Sequence, residues 1–161
     1  DMAFWKFGKK KLDEKSKTAI ETAAFIIHLQ MKPSTGLPGF DEAFNTAFSR
    51  GYLTGAFMAA MQAFQIPGYG DHTKTIAFVV GGHVSLIGEK QGLSFAMDSI
   101  GLQGNEDYET GNRVGGQELI DFLNKEKIMP NHLLKYFEAH CKVLRASDPQ
   151  QTNVPCNASC G

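Results

Sequence analysis

Residues 40–64 read FDEAFNTAFSRGYLTGAFMAAMQAF, and the fold turns on how this stretch is taken. Aromatic residues recur at every fourth position, Phe40, Phe44, Phe48 and Tyr52, which stacks them along one side of a helix. Beside them runs a second row at the same spacing: Ala43, Ala47, Gly51, Gly55, Ala59 and Ala63. The pattern predicts one helix from Asp41 to Phe64, about 36 Å long at 1.5 Å per residue. Each glycine inside it costs about 1 kcal/mol relative to alanine. The usual compensation is a second backbone lying close against the small-residue groove, because rows spaced by four are the ridges of the commonest helix crossing. The row drifts around the helix at 3.6 residues per turn, so the expected contact centres on Ala47, Gly51, Gly55 and Ala59.

The partner expected for that groove is the next apolar segment. Asp71 is a good N-cap, and Ile76, Val79, Val80, His83, Val84 and Ile87 follow the three-four spacing of a helix face. The opposite side carries Ala77, Gly81, Ser85 and Gly88, a second row of small residues. Joined across Pro67-Gly68-Tyr69-Gly70, the two segments predict a close-packed antiparallel helical hairpin at the centre of the fold. The rival reading is a β-hairpin over residues 75–87 that turns at Gly81-Gly82, which would make the chain α+β. β-branched residues favour the hairpin and side-chain period alone does not settle the choice; the helical reading is preferred.

Working outward, a first helix is expected from Leu12 to Gln30, with Ile20, Ala23, Ala24, Ile27 and Met31 inward and Pro33 closing it. A shorter helix covers Leu93 to Ile100. Gly101 to Gly116 then reads as a glycine-rich loop holding Glu106, Asp107 and Glu109, and loops of that length are often functional. A helix from Gln117 to Lys127 follows. The last helix has Pro130 in its first turn and Leu133, Leu134, Phe137, Cys141 and Leu144 inward. The expected fold class is therefore all-α, a bundle of five or six helices. Three parts are expected: an aromatic and basic arm at 1–11, a helical domain at 12–146, and a polar tail at 147–161.

Composition narrows the function classes only coarsely. The chain has 161 residues, with 16 Lys and Arg against 17 Asp and Glu, so no strong charge imposes a nucleic-acid reading. Its 12 Phe residues are enough to dominate a core. No apolar run reaches the ~20 residues of a membrane span. The absence of a secretory leader points to the cytoplasm. Cys141, Cys156 and Cys160 are an odd set confined to the C-terminal part, which is not a disulfide framework. Cys156 and Cys160 are candidates for a local bridge.

Tested for chemistry, the sequence lacks a phosphate loop, a dinucleotide fingerprint, a nucleophile elbow, and the helical zinc or di-iron arrangements. Asn105, Asp107 and Glu109 alternate like calcium ligands, but the turn glycine and the terminal glutamate fall on Thr110 and Gly116, so that motif fails. His28 and His83 read as core histidines, and His132, Tyr136 and His140 as a polar helix face. Arg113 with Gly115 and Gly116 is a weak anion-binding candidate, placed just before an expected helix start. No catalytic residue, metal ligand or cofactor is expected.

Three functional readings follow. The leading one is a non-enzymatic protein-interaction or regulatory module, using Ala47, Gly51, Gly55 and Ala59 toward another protein or toward itself as a homodimer. The second is a small enzyme or ligand-binding protein with a site near residues 101–116, in which Arg113, His83 or His72 converge on a pocket. The third is a peripheral membrane protein using Phe4, Trp5, Phe7 and the lysines between and after them.

Overall fold

Several helices here begin where a short polar side chain can take up a free backbone N–H. Asp13 accepts from Ser16 N at 2.8 Å, Asp71 from Lys74 N at 2.9 Å, and Asn105 from Tyr108 N at 3.1 Å. The structure is a computed structural model that describes residues 13–124 and 128–147, with side chains as far as Cys141. The expected arm at 1–11, almost all of the expected tail at 147–161, and Cys156 and Cys160 lie outside the described residues.

Among the described residues there are seven helices and no strand. They are α1 (Glu14–Met31), α2 (Phe40–Phe44), α3 (Ala47–Ala63), α4 (His72–Ile87), α5 (Glu89–Ile100), α6 (Glu106–Leu123) and α7 (His132–Ser147). The chain is all-α, and the β-hairpin alternative at 75–87 is excluded. Gly81 and Gly82 sit inside α4, where Gly82 leaves room for the Phe57 ring that a β-carbon would strike.

α3 is the hub. Every residue from Gly51 to Phe57 is buried, and α1, α4, α5 and α6 all pack on this helix. An aromatic seam joins the short α2 to its neighbours: Phe40 meets Phe137 of α7 at 5.0 Å, and Phe44 meets Phe95 of α5 at 4.8 Å between ring centroids. Phe48 packs on Tyr136 at 4.7 Å.

Three expectations need correction. The helix expected over 41–64 is broken at Asn45-Thr46, which accounts for one helix beyond the five or six expected. Thr46 caps α3, the Ser49 hydroxyl bonds back to the Ala43 carbonyl at 2.7 Å, and Arg50 Nε takes the Asn45 carbonyl at 3.0 Å. Polar side chains there satisfy the backbone groups that a continuous helix would have paired. Second, most of the expected loop 101–116 is helix, since α6 starts at Glu106 and runs on through the region expected to begin at Gln117. Third, the close partner of α3 is α6 rather than α4, so the tight contact is not a hairpin between neighbours in sequence.

Candidate functional site

The two glycines of the small-residue row of α3 are used inside the chain. A β-carbon on Gly51 would collide with the Tyr108 carbonyl, and one on Gly55 with the Asn112 carbonyl. α6 answers with its own glycines, since β-carbons on Gly111 and Gly115 would strike the Phe48 and Tyr52 carbonyls. Contacts advance in the same direction along both helices, so α3 and α6 run parallel, with α4 and α5 forming the return connection. Ala59 is buried and Ala47 half-buried. Of the four expected interaction residues, Gly51 and Gly55 therefore face this chain's own α6. A homodimer across them has no free groove to use.

Arg113, Gly115 and Gly116 do not form an anion site. They lie in the interior of α6, where backbone N–H groups are already taken up by the helix, and no helix starts there. Gly115 is buried against Tyr52, while Arg113 is exposed. The true start of α6 carries Glu106, Asp107 and Glu109 in its first turn, which complements the helix dipole and repels an anion.

His83 is a core histidine, as expected. Its ring lies 5.3 Å from Phe57 and 5.7 Å from Phe95, and Nδ1 is 2.8 Å from the Val79 carbonyl. Nδ1 therefore carries the proton, and Nε2 is a buried acceptor without a partner among the described residues. Burial pushes its pKa down to about 4; the Val79 bond works against this, and the nearby Arg50 charge adds to it. Arg50 itself lies 3.9 Å over the Phe95 ring and donates to the Phe95 carbonyl and the Ser99 hydroxyl. His28, by contrast, is exposed: it falls beside Phe25, off the inward stripe of Ala24, Ile27 and Met31.

An array of polar groups spanning four helices was not legible from spacing. Gln30 of α1 donates to the Tyr52 hydroxyl at 3.0 Å, and Tyr52 donates to Glu118 of α6 at 2.5 Å. Glu118 also accepts from Asn131 N at 3.0 Å and pairs with His132 Nδ1 at 2.5 Å. Burial raises the Glu118 pKa, but the hydrogen bonds from His132, Tyr52 and Asn131 outweigh it and hold the carboxyl below its ordinary range. Burial, followed by the Glu118 bond, pushes the Tyr52 phenol far up, so it remains a donor. By position, Glu118 caps the start of α7 and ties it to α3. An imidazole oriented by a carboxylate resembles half of an acid–base device, yet none of these residues lines the α1/α4 groove or the pocket between α3, α4, α5 and α6.

Two surface features remain. Between α1 and α4 lies a shallow groove of about 200 Å³ lined by Ala24, Phe25, His28, Ser85 and Leu86. Phe25 is 62% exposed and Leu29, one turn further, 39%. A smaller pocket of about 90 Å³ lies where α3, α4, α5 and α6 meet, with His72 and Tyr108 among its walls. Neither His83 nor Arg113 lines it, so the three side chains expected to converge do not. Among the described residues no group of three or more His, Cys, Asp or Glu could hold a metal ion, and no helix is long and apolar enough to cross a membrane.

Compared with known proteins, the chain matches no family model, no curated protein and no solved structure.

Proposed function

We propose that this chain is a non-enzymatic protein-interaction module whose docking face is the α1/α4 groove. The observation that supports the reading is Phe25, a large aromatic 62% exposed at the edge of that groove. Aromatic side chains of this kind are the usual anchors of protein interfaces. Leu29 extends the apolar surface along α1, and the exposed Ser85 on α4 keeps the opposite wall low. Gly81 brings α4 close to α1 at the head of the groove, where a β-carbon would stand 3.3 Å from Ile20 Cδ1.

The occupant assigned by this reading is a second copy of the chain. A two-fold contact would lay each Phe25 into the groove beside the partner's Leu86, a self-complementary arrangement of the type common in dimers. A cytoplasmic setting belongs to the same proposal; Cys141, a buried free thiol, is compatible with a reducing compartment.

Sedimentation velocity over a wide concentration range tests it. Wild type is expected to shift from monomer toward dimer, and Phe25→Glu to remain monomeric with its helical signal intact. A wild type that stays monomeric up to about 1 mM, where a contact of only about −4 kcal/mol would register, overturns the reading.

A further inference from the structure

We propose that the pocket at the junction of α3, α4, α5 and α6 binds a small uncharged molecule with one hydroxyl or amide group on a short apolar body. Its volume is about 90 Å³. A water molecule occupies about 30 Å³ of liquid, so the space equals about three waters and suits a ligand of only a few non-hydrogen atoms. Nucleotides and most cofactors need several times that room.

The walls decide the chemistry. Met58 of α3 and Val79 of α4 supply apolar surface. Three hydroxyls, Thr54, Thr75 and Tyr108, supply the polar side together with the exposed His72 and Gln103. Thr54 Oγ1 donates to the Arg50 carbonyl at 3.0 Å. Thr75 Oγ1 is different. It is sealed from solvent and has no hydrogen-bond partner among the described residues. A buried hydroxyl without a partner is costly to keep, and a ligand group reaching this wall would relieve that cost after a small side-chain rotation. Burial pushes the Tyr108 phenol up, so it stays a neutral hydroxyl. No Lys, Arg, Asp or Glu lines the pocket. An ionised ligand would lose water there and find no carboxylate, ammonium or guanidinium partner, only the exposed imidazole of His72 at the wall, which favours an uncharged one.

Protein-observed NMR titration of the whole chain, with acetamide and 2-propanol as probes, tests the proposal. Saturable shifts are expected at the amides of Thr75, Val79 and Tyr108, half-complete at about 0.1–10 mM for probes of this size. Acetate and methylammonium ions should leave those amides unmoved. Thr75→Val keeps the side-chain shape but removes the hydroxyl, and should weaken binding about tenfold, the equivalent of one net hydrogen bond. Should that variant lose its fold, Met58→Phe narrows the pocket from a different helix and should abolish the shifts. Unsaturating, protein-wide shifts, or equal affinity in Thr75→Val, would show a site holding ordinary solvent and overturn the assignment.

Discussion

Gly55 of α3 lies against the backbone of Asn112 of α6 with no space for a β-carbon between them. The relationship recurs with Gly51 against Tyr108, and in the other direction with Gly111 against Phe48 and Gly115 against Tyr52. At an exposed helix position, Gly→Ala gains about 1 kcal/mol. Here Gly51→Ala, Gly55→Ala, Gly111→Ala and Gly115→Ala should each lose about 1–3 kcal/mol or more, because the added methyl meets backbone that cannot step aside. Gly116→Ala is the matched control. Its β-carbon would stand 3.4 Å from the Gly55 carbonyl oxygen, an ordinary contact, so that variant should be neutral or stabilised by up to about 1 kcal/mol. Chemical denaturation of the five variants checks the contrast, and equal losses at all five would mean that α3 and α6 are not in intimate contact.

His83 should make stability depend on pH in a window set by its lowered pKa. Its ordinary value is 6.5 and its folded value about 4. The unfolded chain therefore binds a proton that the folded chain refuses between these limits. Stability is full above about pH 6.5, declines as pH falls toward 4, and has lost on the order of 3 kcal/mol by then. His83→Leu should flatten the curve in that window when denaturation midpoints are compared. A slope unchanged in the variant would assign the effect to other groups.

Much of the architecture was written in the sequence in a readable form. The helical period of Ile76 to Ile87, the cap at Asp71, and the demand of Gly51 and Gly55 for a close backbone are all local patterns. Which backbone answers that demand is not local. Gly111 and Gly115 repeat the same four-residue spacing within α6, but the density of glycine there suggested a loop, and propensity was overridden by packing against α3. The break at Asn45-Thr46 did leave a trace, since Thr46 followed by Ser49 is a plausible cap. The Tyr52–Glu118 bond left none, because its partners are far apart in the chain and meet only through the parallel pairing of two helices. Exposed Phe25 was visible in principle as an aromatic off the inward stripe of α1.

Tyr52 and Glu118 should be energetically coupled. Tyr52→Phe removes a buried hydroxyl and leaves Gln30 and Glu118 each short of a bond, a loss of about 1–3 kcal/mol. Glu118→Gln keeps a hydrogen-bonding group but surrenders the charge that pairs with His132. A double-mutant cycle by urea denaturation should give a coupling of about 0.5–3 kcal/mol. Because the folded Glu118 pKa is lowered from 4.5, its share of stability is present above that value and is lost as pH falls further. The acid losses from His83 and Glu118 are thus separable, the first setting in near pH 6.5. Additive single mutants would mean that the hydroxyl and the carboxylate do not share a proton.

The start of α6 supplies the last test, because the whole α3–α6 contact depends on a helix forming where glycine makes one unfavourable. Asn105 accepts from Tyr108 N, and Glu109 reaches back to Gly104 N at 2.9 Å. Together these satisfy two free donors and set the phase of the helix, so that Gly111 and Gly115 turn toward α3. Asn105→Ala should cost about 1 kcal/mol, whereas Asn105→Asp keeps the acceptor and adds charge complementary to the helix dipole, and should be neutral or slightly stabilising. Amide hydrogen exchange gives the decisive reading. In Asn105→Ala protection should fall first at Tyr108 through Asn112, whereas a uniform fall across the protein would mean that the cap does not govern where α6 begins.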